Sequence, residues 1–143
     1  MELIDILLVE DNPDHIMLTR RVLEDYNVAN KVYVVKDGAD ALDFIYHRGK
    51  YGDGHNAPRP GLILLDIKLP KVDGFEVLKQ LKTDPEHKSI PVVVLTTSSR
   101  DEEVARGYAE GANSYVTKPV KFDEFANKVR NIGLYWGLIS SLP

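Results

Sequence analysis

Short aliphatic runs alternate along the chain with longer segments whose apolar residues recur every three to four positions. The runs are "IDILLVE" (Ile4 to Glu10), "KVYVVKD" (Lys31 to Asp37), "LILLD" (Leu62 to Asp66), "IPVVVLT" (Ile90 to Thr96) and "SYVTKP" (Ser114 to Pro119). Each is short, rich in β-branched or aliphatic residues and bounded by polar or turn-forming residues, which predicts a buried strand. Gly38 interrupts the second run, and Lys118-Pro119 closes the fifth. The intervening segments predict helices. Asn12-Pro13 has the form of a helix start, Asn as N-cap and Pro at the first helical position. Ile16, Val22, Leu23 and Tyr26 then follow at helical spacing. Ala41, Leu42, Ile45 and Tyr46 form the inward set of the second helix, and Phe75, Val77, Leu78 and Leu81 that of a third beginning near Phe75. "RDEEVARGYAEG" predicts a polar fourth helix stopped by Gly111. The fifth places Phe122, Phe125, Val129 and Ile132 on one face, then turns apolar nearly all round, extending over about 121–141.

Near-continuous aliphatic strands joined by helices require a parallel sheet covered on both faces. Right-handed crossovers then predict an α/β, doubly wound sandwich of five strands and five helices. "YGDGHNAPRPG" is dense in Gly, Pro and Asn and predicts a loop, part of an extension near 47–60. No repeat, low-complexity tract or linker divides the 143 residues, so one domain spanning 1–143 is expected.

Composition narrows the function. Apolar residues make up 43% and charged residues 28%, ordinary for a globular protein. There is no cysteine, which excludes disulfides and thiol chemistry. The N-terminus carries acids where a signal peptide needs positive charge, and no apolar run approaches the ~20 residues of a membrane helix. A soluble, cytoplasmic protein is expected. Net charge is −4 and no Lys/Arg cluster exceeds two adjacent residues, so neither nucleic acid nor membrane is an expected partner.

In doubly wound sheets, ligands bind beyond the carboxyl ends of the strands. The first strand delivers Glu10 and Asp11 there, the third Asp66, the fourth Thr96 and the fifth Lys118. Two unit charges ~4 Å apart repel by about 4 kcal/mol at an effective dielectric of about 20. Three crowded carboxylates would cost on the order of 10 kcal/mol, against a whole-domain stability of roughly 5–15 kcal/mol. Lys118 alone does not neutralise that. Either one or two acids stay protonated, or a divalent cation sits among them. Hard oxygen donors with no His or Cys nearby suit Mg2+. An Asp beside such a cation and a lysine can attack phosphorus and hold a phosphoryl group.

At these positions the chain resembles the CheY-like receiver domain of two-component response regulators. The matching pieces are "LLVEDN", "ILLDIKLPKVDG", "VVVLTTSS" and "SYVTKP", in that order, and the resemblance covers essentially the whole chain. It implies a flavodoxin-like sheet in strand order 2-1-3-4-5 and a phosphoacceptor switch rather than an enzyme of turnover. Asp66 corresponds to the phosphoacceptor. Glu10 and Asp11 correspond to the acidic pair for Mg2+, with Asp11 favoured as the direct ligand. Asp66 and the Lys68 carbonyl would be further ligands. Thr96 is the switch hydroxyl, Lys118 the phosphate-pairing lysine and Tyr115 the aromatic switch residue. Glu10 stands where many relatives carry Asp. The long loop and the tail "GLYWGLISSLP" are similar to small stand-alone receivers of phytochrome-type histidine kinases. The implied partners are such a sensor kinase and a downstream protein or phosphotransfer partner, with a homodimer through the apolar tail as a further expectation.

Other readings fit these residues less well. An aspartate-nucleophile phosphatase needs a second Asp two positions after the first, where this chain has Lys68. A nucleotide or flavin site needs a phosphate-cradling loop, whereas "VEDNPDH" is acidic. A receiver-fold scaffold that is never phosphorylated would have little reason to retain the acid cluster. Some of the hydroxyls Thr96 to Ser99 serve as helix caps; Thr96 is singled out because it ends the apolar run. The histidines, His15, His47, His55 and His87, fall on polar faces or loops, and no metal role is expected of them.

Overall fold

The computed structural model describes residues 4–25, 30–53, 56–69, 71–96, 111–112, 114–131 and 133. Its five strands are β1 (Ile6–Val9), β2 (Val32–Val35), β3 (Leu62–Asp66), β4 (Val92–Thr96) and β5 (Ser114–Thr117). The described helices are α1 (Pro13–Asp25), α2 (Gly38–Tyr46), α3 (Gly74–Thr83) and α4 (Phe122–Asn131). The strands form one parallel sheet in the order β2-β1-β3-β4-β5, as expected for this fold class. The predicted polar helix before Gly111 lies outside the described residues. So do Tyr26, Ile132 and the apolar tail with Tyr135 and Trp136.

Strand periodicity divides the core in two. Leu7, Val9, Ile63, Leu65, Val92 and Val94 face one side and pack with Ala41, Leu42, Ile45, Phe75, Leu78 and Leu81 of α2 and α3. Ile6, Leu8, Leu62, Leu64, Val93, Leu95 and Val116 face the other side and pack with Leu23 of α1 and Phe125 and Val129 of α4. Every residue of β1, β3 and β4 is buried, which is why their sequences show no polar alternation. β2 lies at the sheet edge and is only partly buried along most of its length.

Element ends differ from the sequence reading where polar residues take up capping roles. The first strand contracts to Ile6–Val9, because Glu10 already belongs to the turn. The second contracts to Val32–Val35: Asp37 caps α2 by accepting from the Asp40 N–H at 2.7 Å, and Gly38 opens that helix rather than breaking a strand. Asp73 caps α3 in the same way, with Glu76 N–H at 3.0 Å. Asn12 behaves as predicted, its Oδ1 accepting from the N–H groups of Asp14 at 2.9 Å and His15 at 3.2 Å.

The extension after α2 is tied down rather than loose. Tyr51 ends a 3-10 turn and sets its ring edge-on against Phe44, centroids 5.1 Å apart. His47 Nε2 lies 2.6 Å from the Ala57 carbonyl. Arg59 donates to the Glu86 carbonyl at 2.7 Å and to Ser89 Oγ at 3.2 Å, clasping the extension to the turn after α3.

Two glycines allow backbones to meet behind β3. A Cβ on Gly38 would lie 1.8 Å from the Val72 carbonyl oxygen, and one on Gly74 would lie 2.4 Å from that of Asp66. The turn leaving β3 is thereby wedged between α2 and α3. Because the obstructing atoms are main chain, Gly38→Ala and Gly74→Ala should each destabilise the domain by roughly 1–3 kcal/mol. Urea denaturation reads this directly, and a neutral result at both positions would contradict the packing.

Candidate functional site

The parallel sheet directs the ends of β1, β3, β4 and β5 toward one crevice of about 200 Å3. β1 runs straight into Glu10, 1% exposed, whose Oε2 accepts from the Asn12 N–H at 3.2 Å. Asp11 follows at the exposed rim. β3 ends at Asp66, 5% exposed, with Oδ1 accepting from the Lys68 N–H at 3.1 Å. Carboxylate oxygens of Glu10, Asp11 and Asp66 lie within 4.8 Å of one another. Thr96, also buried, lines the crevice from the end of β4. Thr97 to Ser99 lie outside the described residues.

Lys118 enters from beyond β5. The Lys118–Pro119 peptide is cis. The Lys118 N–H donates to the Thr96 carbonyl at 2.8 Å. Its ammonium donates to Glu10 Oε1 at 2.6 Å and to Asp66 Oδ2 at 3.2 Å. Five residues singled out on sequence grounds, Glu10, Asp11, Asp66, Thr96 and Lys118, therefore share one crevice, and Lys68 borders it. Tyr115 stands apart. It is partly buried against the α2/α3 core, with Lys128 Nζ 4.7 Å from its ring centroid.

One expectation fails. The acids were expected to have no histidine nearby, yet His15 Nδ1 lies 3.0 Å from Lys118 Nζ and 3.7 Å from Glu10 Oε1. His15 sits on the first turn of α1, four residues after Asp11. The signal available was that spacing: one helical turn past a strand end returns a side chain over it.

The balance of charge is unfavourable without a cation. Three carboxylates face one ammonium. The Asp66 carboxyl is pushed up from 3.8 to about 6, first by burial and then by hydrogen bonding and repulsion from Glu10; Lys118 and the Lys68 N–H oppose this. Of the two resolutions open on sequence grounds, proton uptake by Asp66 relieves the cation-free crevice only below about pH 6; above that, three carboxylates stay crowded around one ammonium. The all-oxygen donor set also fits a hard divalent cation, whose charge would replace that proton. A larger hollow of about 470 Å3 beside β2 has no such surplus. There Asp37 pairs with Lys71 and Asp40 with Lys50, each at 3.5 Å.

This arrangement on this fold defines a class. The response regulator receiver domain model matches residues 6–130, and the chain belongs to that family. Its curated relatives include the probable methanogenesis regulatory protein FilR2 of Methanothrix harundinacea, 44% identical over 92% of this chain and 82% of the relative. Response regulator Rcp1 of Synechocystis is 40% identical over 96% of this chain and 92% of its own length. Among solved structures, the bacteriophytochrome response regulator AtBRR superposes with a TM-score of 0.86 at 44% identity, covering 99% of this chain and all (100%) of that one. The phosphorylated cyanobacterial phytochrome response regulator RcpA gives 0.77 at 40% identity, covering 99% of each chain. The Mn2+-bound form of Rcp1 gives 0.76 at 39%, covering 98% of this chain and 99% of that one. Among the described residues, no helix is long and apolar enough to cross a membrane.

The raised Asp66 pKa makes a signed prediction. A group whose folded pKa lies above its unfolded value stabilises the fold at low pH and loses that contribution as pH rises through the folded value. In EDTA, the wild-type chain should lose stability between about pH 4 and pH 7, on the order of 2 kcal/mol of it through Asp66. Asp66→Asn should flatten that slope and be the more stable protein at pH 7.5. Urea midpoints across the pH range measure both, and parallel pH profiles would refute the assignment. Added Mg2+ should stabilise the wild type at pH 7.5 by mass action.

Proposed function

We propose that this chain is a phosphorylation switch whose acceptor is Asp66. The observation that carries the reading is the buried Asp66 carboxyl sharing one crevice with Glu10, Asp11 and the Lys118 ammonium. A phosphohistidine of a sensor kinase is the proposed donor. An Asp66 oxygen attacks phosphorus, the P–N bond to imidazole breaks, and the electron pair leaves with the imidazole. Glu10, Asp11, Asp66 and the Lys68 carbonyl would hold Mg2+, which supplies charge neutralisation to the phosphoryl oxygens when bound.

The chain's own residues do the rest. The Lys68 N–H orients Asp66 by holding Oδ1 at 3.1 Å, leaving Oδ2 toward Lys118. Lys118 carries a fixed positive charge to where the phosphoryl oxygens gather. Thr96 offers a hydroxyl to one of those oxygens, and its displacement is proposed to draw Tyr115 inward. The face of β5 and α4, where Tyr115 and Lys128 meet, then changes its protein contacts. Similarity to AtBRR, RcpA and Rcp1 supports a phytochrome-type kinase as the donor. A downstream protein or phosphotransfer partner would read the changed surface.

Acetyl phosphate tests the chemistry without the kinase. With Mg2+, intact mass should rise by a single phosphoryl group; without Mg2+, or in Asp66→Asn, it should not. A well-folded protein that binds Mg2+ and gains no phosphoryl group from either acetyl phosphate or a phytochrome-type kinase would sink the proposal.

A further inference from the structure

We propose that His15 is a positioning residue for Lys118, tethering the ammonium at the acidic crevice through a hydrogen bond to Nδ1. The inference rests on the phosphoacceptor reading and adds to it a residue outside the matched motif set.

The contact dictates its own chemistry. Lys118 Nζ lies 3.0 Å from His15 Nδ1. An ammonium only donates, so Nδ1 must accept and the ring proton must reside on Nε2. The alternative, a protonated Nδ1 donating to Glu10, is excluded by geometry: Oε1 is 3.7 Å away, and two donors would face each other across the shorter contact. Lys118 has three N–H donors and three acceptors at hydrogen-bond distance: Glu10 at 2.6 Å, His15 at 3.0 Å and Asp66 at 3.2 Å. The ammonium is therefore fully engaged, with its side chain only 6% exposed.

The three acceptors differ in what happens to them when the site works. Glu10 and Asp66 are carboxylates that a cation and an incoming phosphoryl group both engage. His15 is neutral in the required tautomer and is claimed by neither. When Asp66 becomes an acyl phosphate, Lys118 exchanges its Asp66 contact for a phosphoryl oxygen, and the His15 bond keeps the ammonium from following the charge out of place. The tether is itself anchored. Asn12 caps the first turn of α1 and accepts the His15 N–H at 3.2 Å, fixing the backbone from which the ring reaches across. From the other side, the Lys118 N–H is held by the Thr96 carbonyl at 2.8 Å. Pre-positioned charge of this kind stabilises a transition state without reorganisation during transfer.

Nitrogen-15 spectra of the histidine rings in the intact chain test the contact without a variant. The wild type at neutral pH should show His15 as a single Nε2–H tautomer; an Nδ1–H tautomer or a doubly protonated ring would overturn the proposal. The role is tested by phosphorylation from acetyl phosphate at saturating Mg2+. His15→Leu, which deletes the acceptor at a partly exposed site, should slow Asp66 phosphorylation roughly tenfold, the loss of one hydrogen bond to a charged group. His15→Asn places an amide oxygen near the position of Nδ1 and should recover the rate to within roughly threefold of wild type. A Leu variant as fast as wild type, or an Asn variant no faster than Leu, would overturn the tether. A wild type with the expected tautomer but no phosphoryl uptake would instead overturn the phosphoacceptor reading, and the role in transfer with it.

Discussion

The constraint on which the structure turns is the confinement of negative charge at the buried end of an aliphatic sheet. β1 and β3 are fully buried strands; Glu10 directly follows the first and Asp66 ends the second, both acids almost wholly withdrawn from water. Withdrawn acids repel strongly and are poorly solvated, so each must find a partner. A lysine just beyond β5 reaches two of them, and Asp66 holds its proton more tightly than an ordinary carboxyl does. That same unsatisfied demand makes the crevice a receptor for positive charge and gives Asp66 a distinct place among the acids. Stability and affinity for charge are thus two readings of one electrostatic conflict: what the fold tolerates at a cost is what suits the crevice to a cation.

The rest of the domain holds that conflict in place. The sheet is a two-sided core in which alternate residues of each strand serve opposite layers. Behind β3, the missing side chains of Gly38 and Gly74 let the turn after Asp66 lie against two helix starts. The Asn12, Asp37 and Asp73 caps begin three helices just beyond the strand ends. The helix starts and the turn after β3 are therefore set by local capping and close packing rather than by the charges of the crevice they surround.

Much of this was legible in the sequence because its causes are local. Fully buried strands leave unbroken aliphatic runs, and the topology of parallel sheets converts strand ends into a list of crevice residues. Glu10, Asp11, Asp66, Thr96 and Lys118 follow from that rule. What escaped depends on contacts between segments distant in sequence. His15 was read as a polar-face residue because its approach to Lys118 spans 103 positions. The knitting of the long extension, through Tyr51 on Phe44 and Arg59 on Glu86, joins polar and aromatic residues whose pairing no periodicity announces. Asp37 and Gly38 were misplaced by one element because a capping acid and a strand-ending acid look alike until the helix behind them is seen.

The bond from the Lys118 N–H to the Thr96 carbonyl carries a mechanical consequence. Lys118 hangs by its main chain from the residue that bears the hydroxyl, and by its side chain from the acid that bears the charge. β3, β4 and β5 are thus closed into a ring through a single residue. Within such a ring the main chains that carry the hydroxyl and the ammonium are tied to each other, so a backbone shift at one strand end is passed to the next. The sheet edge at β5 is thereby moored, through one residue, to two of the strand ends that line the crevice.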